Sequence, residues 1–167
     1  LKSELIIDSI PEGKKAGVMR AVVQRVKSAE VAVNDCLIAK IDRGMLVFLG
    51  IEQEDGQADA DYLLEKIINL RVFEDENGKM NISLLDMGGE LLVVSQFTLL
   101  GDSRKGRRPS FTHAEKPELA RPLYDYFVSQ AKRRVRGVAE GEFQAIMTVL
   151  IANDGPVTML LDSKRLF

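Results

Sequence analysis

The sequence is poor in the residues that carry most enzymatic chemistry. It has one cysteine, Cys36, one histidine, His113, no tryptophan, and only 6% aromatic residues in 167. A lone cysteine cannot pair within the chain, so a disulfide scaffold is excluded and a reducing, cytoplasmic setting is expected. One histidine and one cysteine cannot build a His/Cys zinc cluster, and no carboxylate spacing suggests another metal site. The glycine-rich dinucleotide and phosphate loops and the G-x-S-x-G turn are absent, so neither a metal nor a cofactor is expected. Apolar runs such as Leu91–Val94 and Thr148–Ala152 fall far short of the roughly 20 residues that span a bilayer, so no membrane segment is expected. His113, in a polar stretch, reads as a surface residue. Cys36, in a strand pattern, reads as a small core residue.

What the chain does have is an ordinary globular composition. Hydrophobic residues are 46% and charged residues 29%, enough for one domain with a real core. The net charge of −2 argues neither for nor against nucleic acid. The distribution is more informative, because local cations hold phosphates even on an acidic chain. Arg104, Lys105, Arg107 and Arg108 form one cluster; Lys132, Arg133, Arg134 and Arg136 form a second. By themselves such clusters read as solvated surface charge.

Residues 1–18 break from the rest. Ile6, Ile7 and Ile10 are followed by Pro11, Gly13 and a lysine pair, with neither the apolar core of a signal peptide nor the Arg-rich pattern of a transit peptide. They read as an N-terminal extension or expression remnant outside the fold, with a single domain over 19–167.

From Arg20 the pattern is strand-like to Lys27 and again over Glu30–Val33. Asn34-Asp35 turns the chain into a hairpin with Cys36–Ile41. Met45–Ile51 is continuously apolar, as in a strand buried on both faces. Leu63, Ile67 and Leu70 recur at helical spacing and predict a helix over 58–70. Asn77-Gly78 marks a tight turn. Leu91–Leu99 is the strongest strand pattern, and a basic loop follows over 101–112. Leu119, Leu123, Tyr126 and Phe127 predict a second helix. Pro122 would cost about 3 kcal/mol in its interior, so the helix either starts near Arg121 or kinks there. Strands over 143–151 and 157–161 are joined by Asn153-Asp154-Gly155-Pro156. The whole predicts an α+β domain with a mixed, largely antiparallel sheet and helices packed on one side.

Two segments stand out chemically. Ser95, Gln96 and Thr98 close an apolar strand with polar groups, either as an ordinary strand end or as a pocket floor of donors and acceptors. Asn153–Thr158 contains a Gly-Pro bond, either an ordinary turn or a cis turn that aims carbonyls in a fixed direction.

Taken together, Leu92–Leu99, Arg108-Pro109-Ser110-Phe111, Leu123–Phe127 and Asn153–Thr158, with Gln24-Arg25-Val26 and Gly78-Lys79-Met80-Asn81 upstream, resemble the D-aminoacyl-tRNA deacylase (D-tyrosyl-tRNA deacylase) family from Met19 to about Ser163. The resemblance implies hydrolysis of the ester between a D-amino acid and the terminal adenosine of tRNA. It also implies a homodimer with its active sites at the subunit interface. It puts Ser95, Gln96 and Thr98 in catalytic positions and Phe97, Gly155 and Pro156 in substrate-binding ones. Gly155-Pro156 would enter the partner subunit's pocket, with Arg25 supporting that turn. Arg104, Lys105, Arg107 and Arg108 would then meet tRNA phosphates.

Such a reaction is compatible with a chain that lacks a histidine base. The ester is already activated, so orienting water and stabilising an oxyanion suffice, with the ribose 2′-hydroxyl helping. A covalent Thr98 mechanism would need an activating base, and none stands at a readable spacing. A pocket that reads the α-amino group ignores side-chain identity, so broad specificity is expected; glycine has no side chain to reject, so glycyl-tRNA is an expected side substrate. Two other readings stay open: a non-catalytic RNA-binding module, and a hydrolase of an unrelated small ester.

Overall fold

The computed structural model describes residues 17–167. Of the expected extension, residues 1–16 lie outside the described residues. Val18 donates its N–H to Glu52 Oε2 at 2.6 Å. The strands are β1 (Arg20–Val33), β2 (Cys36–Ile41), β3 (Gly44–Gly50), β4 (Phe73–Glu74), β5 (Met80–Ile82), β6 (Glu90–Ser95), β7 (Gly137–Glu140) and β8 (Met147–Asp162). The helices are α1 (Gln57–Asn69), α2 (Leu84–Met87) and α3 (Pro117–Arg134), with a 3-10 turn at Phe97–Leu100.

The main sheet runs β2-β1-β3-β6-β7, with β8 on the other edge of β1. β1 pairs antiparallel with β2, β3 and β8, whereas β3–β6 and β6–β7 are parallel. β2 curls back towards β6 and β7, so the sheet nearly closes as a barrel. The expected α+β class and mixed sheet are therefore present.

Alternation decides which side chains face which core. Met45, Val47 and Leu49 of β3, with Leu91 and Val93 of β6, meet α1 and α3 in the larger core. Leu46, Leu92 and Val94 point the other way, into a second cluster with Val26, Ala29, Val31 and Ile41. This is why Met45–Ile51 is continuously apolar: it is buried on both sides, as its sequence predicts. The larger core takes Leu63, Leu64, Ile67 and Ile68 from α1 and Tyr124, Phe127 and Val128 from α3. Each such side chain stabilises the fold by roughly 1.5–3 kcal/mol through burial.

Several expectations are corrected. Leu119 is 63% exposed, and Ala120, Tyr124, Phe127, Val128 and Ala131 form the buried stripe of α3. That helix does not start near Arg121. It starts at Pro117, whose fixed φ suits the first helical position, and continues through Pro122. Pro122 and Glu118 are both exposed, so water can reach the carbonyl that Pro122 leaves unpaired. Cys36 is exposed at the β1–β2 turn rather than in the core.

The strand expected over 91–99 stops at Ser95. Its partner β3 runs out there: Leu49 pairs with Ser95, and Gln96 N–H makes the last bond, to the Leu49 carbonyl at 2.8 Å. The chain then folds over Gly50, where a β-carbon would lie 2.5 Å from Leu100. Finally, the two strands expected around Asn153–Pro156 are one strand, β8. Two steps along β1, from Gln24 to Val26, match five along β8, from Thr158 to Asn153. The extra residues form a bulge that carries Gly155-Pro156.

Candidate active site

At the end of the parallel strands β3 and β6 lies a pocket of about 710 Å³, within the usual range for small-molecule sites. Three segments wall it. Leu49, Ile51 and Val94–Phe97 come from the strand ends, and Phe111–Pro117 forms a strap leading into α3. A turn at 143–147 leads into β8. The strap is held by Glu115 N–H bonding the Ile51 carbonyl at 2.9 Å and Gln53 N–H bonding the His113 carbonyl at 3.0 Å.

Ser95, Gln96 and Phe97 line this pocket. They do so by a different geometry, since only Ser95 remains in the strand and Phe97 opens the 3-10 turn. Thr98 stands exposed just outside the wall, its Oγ1 accepting from Gln96 Nε2. Phe97 packs edge-on against Phe111, ring centroids 5.2 Å apart. Phe143 closes the far side, tilted against Tyr124 at 5.6 Å. The Tyr124 hydroxyl donates to the Val93 carbonyl at 2.9 Å, and its burial raises the phenol above its ordinary pKa. The resemblance did not supply Phe143 or the turn around it. The sequence pattern predicts a strand from 143, whereas β8 starts only at Met147 and 143–146 form the turn.

Gly155 and Pro156 do not line this pocket. They are exposed, and the peptide bond between them is cis. Arg25, which holds them, pairs with Met45, four residues before the Leu49–Ser95 level, a separation of about 13 Å along the strands. Arg25 is 4% exposed. Its Nε donates to the Asp154 carbonyl at 3.2 Å and its Nη2 to the Gly155 carbonyl at 3.3 Å. Nη1 donates to the Val72 carbonyl at 2.5 Å, and the Asp154 carboxylate lies 3.1 Å from Nε. The planar fork of arginine serves three carbonyls and one carboxylate, which an ammonium does not match.

The basic loop is a closed finger beside the pocket. Asp102 and Ser110 exchange both backbone hydrogen bonds, at 2.7 and 2.9 Å, so residues 103–109 project beyond Phe111. Arg104 is committed within it, bidentate to Asp102 at 2.9 and 2.7 Å. Those bonds hold the Asp102 carboxyl well below its ordinary pKa. Lys105, Arg107 and Arg108 are exposed at the tip. Two members of the second basic cluster are ion-paired: Lys132 with Glu140 at 2.6 Å and Arg134 with Glu65 at 2.5 Å.

Among the described residues no group of three or more histidines, cysteines or carboxylates is placed to hold a metal, and no helix is long and apolar enough to cross a membrane. His113 Nδ1 lies 3.7 Å from Glu52 Oε1, and its side chain is half exposed.

This fold has solved counterparts. The structure of a probable eukaryotic D-amino acid tRNA deacylase superposes with a TM-score of 0.76 at 17% identity, covering 87% of this chain and 99% of that one. It shows the fold class, a mixed-sheet α+β domain. The structure of the c-Myc DNA Unwinding Element Binding Protein matches at TM-score 0.81 and 46% identity, over 85% of this chain and 97% of that one. A family model for D-Tyr-tRNA(Tyr) deacylase matches residues 22–162. A D-aminoacyl-tRNA deacylase of Syntrophus aciditrophicus is 67% identical over 149 residues, covering 89% of this chain and all of that one. One from Clostridioides difficile is 58% identical over the same lengths. The chain belongs to the D-Tyr-tRNA(Tyr) deacylase family.

Proposed function

We infer that this chain hydrolyses the ester bond of D-aminoacyl-tRNA, releasing free tRNA and the D-amino acid, and that the Ser95–Phe97 pocket is where the ester is cleaved. The observation that carries the reading is this pocket, walled by Ser95, Gln96 and Phe97 at the end of β6, in a chain of this family.

The reaction proceeds by substrate-assisted attack of water. The ribose 2′-hydroxyl places the water, and the Ser95 hydroxyl offers a donor to the developing oxyanion. A covalent role for Thr98 is disfavoured by its neighbour. Thr98 Oγ1 is bonded to the Gln96 amide, which is not a base, whereas an activated hydroxyl needs one.

The enzyme acts as a cytoplasmic homodimer. Leu150, Met159 and Leu160 of β8 and Ile146 just before it are exposed apolar residues, on and beside the strand that presents Gly155-Pro156. That turn enters the partner subunit's pocket and excludes the side chain of an L-amino acid. Glycine has no side chain to exclude, so glycyl-tRNA is a side substrate. Lys105, Arg107 and Arg108 hold acceptor-stem phosphates beside the pocket mouth.

The test compares Thr98→Ala with a D-tyrosyl-tRNA ending in 2′-deoxyadenosine. Thr98→Ala should retain kcat within about tenfold, while the deoxy substrate should lose about a hundredfold or more, the scale of a removed proton-transfer group. Loss of turnover in Thr98→Ala together with full turnover of the deoxy substrate would reinstate the covalent route.

A further inference from the structure

The turn at 141–147 has a feature that its role as a wall does not require. Gln144 sits at φ +67, a left-handed backbone conformation that is unfavourable for any residue but glycine. The turn is rigidly placed. Gly141 N–H bonds the Val93 carbonyl at 2.9 Å, the same oxygen that accepts from Tyr124. Ala145 N–H bonds the Glu142 carbonyl at 3.2 Å. A β-carbon at Gly141 would lie 2.7 Å from Met147 Sδ, so the turn packs closely on the start of β8. The Gln144 side chain reaches the pocket and is exposed.

Two amides line this pocket. Gln96 is engaged with Thr98. Among the described residues Gln144 has no hydrogen-bond partner within the chain. A free carboxamide offers one donor and one acceptor side by side, which matches an edge of adenine. The pocket around it is lined by Phe97, Phe111 and Phe143, surfaces on which a base can stack. We propose that Gln144 is a substrate-binding residue that hydrogen-bonds the terminal adenine of the tRNA and so positions the ester over Ser95. The proposal rests on the pocket reading above.

The test uses Gln144→Ala, which keeps the β-carbon but removes the amide, and Gln144→Gly, which also removes the backbone penalty. Substrates are D-tyrosyl-tRNA with its natural terminal adenosine or with purine riboside, which lacks the 6-amino group. Both variants should raise KM about tenfold with kcat within twofold. The wild type should prefer adenosine about tenfold, and both variants should lose that preference. Unchanged KM in both variants, or an adenosine preference that survives in them, overturns the proposal. So does a defect in Gln144→Ala that Gln144→Gly repairs, because that marks a turn residue only. Ser95→Ala separates the two levels. If it is slow while the Gln144 variants match wild type, only this proposal fails. If Ser95→Ala also matches wild type, the pocket reading fails and takes this proposal with it.

Discussion

Arg25 and Gly155 lie 130 positions apart in sequence, yet the buried guanidinium of one donates to the carbonyl of the other at 3.3 Å. The same group holds the Asp154 and Val72 carbonyls, so one side chain fixes the bulge of β8 against the irregular segment just ahead of β4. Arg25→Lys keeps a charge but loses the fork. It should destabilise the fold by roughly 3 kcal/mol, the scale of breaking a buried charge pair and leaving its partners unpaired. Chemical denaturation measures this. The variant that remains folded should also discriminate less between D and L substrates. An unchanged denaturation midpoint and unchanged selectivity would show that the turn does not depend on Arg25.

The four arginines and lysines of the basic loop are not equivalent. Replacing Lys105, Arg107 and Arg108 by Gln should weaken tRNA binding and flatten the log–log salt dependence by about 2–3, since each phosphate contact contributes roughly 0.7–0.9 to that slope. Arg104→Gln should change the slope far less, because Arg104 is already bidentate to Asp102. Binding titrations at several salt concentrations decide this. Equal effects from Arg104 and Arg107 variants would contradict the assignment.

Asp55 makes stability depend on pH. Burial, with Asp59 and Glu52 nearby, raises its pKa to about 7, although the Glu52 N–H and Lys164 oppose the shift. One carboxylate oxygen accepts from Glu52 N–H at 2.6 Å, while Oδ1 is buried without a partner. The folded state therefore binds this proton more tightly than the unfolded state. The resulting stability is full below the ordinary carboxylate pKa and is lost as pH rises towards 7. Asp55→Asn should remove this slope. Its Tm should gain on the parent between pH 5 and pH 8, as followed by thermal melts in matched buffers. A constant Tm difference across that range would show that Asp55 does not titrate there.

Much of this molecule is legible in sequence where local pattern and burial agree. Met45–Ile51 is apolar throughout because both sheet faces are covered, and the α1 stripe at Leu63 and Ile67 follows the 3.6-residue period. What escapes is set by distant partners. Gln96–Thr98 continue a strand pattern, but β3 ends at Gly50 and leaves them nothing to pair with. Asn153–Pro156 carry turn residues, yet β1 holds both flanks as one strand. β7 has four half-buried residues and no alternation strong enough to mark it. In the site, Ser95–Phe97 were legible through the family resemblance. The far side, Phe143 and Gln144, comes from a segment that only the folded chain brings near.

The most direct measurement follows ester loss from matched D- and L-tyrosyl-tRNA with the intact protein. Rapid release of D-tyrosine with the L-ester spared is the predicted result. Equal cleavage of both would keep the hydrolase but remove the Gly155-Pro156 filter, and cleavage of neither would contradict the account.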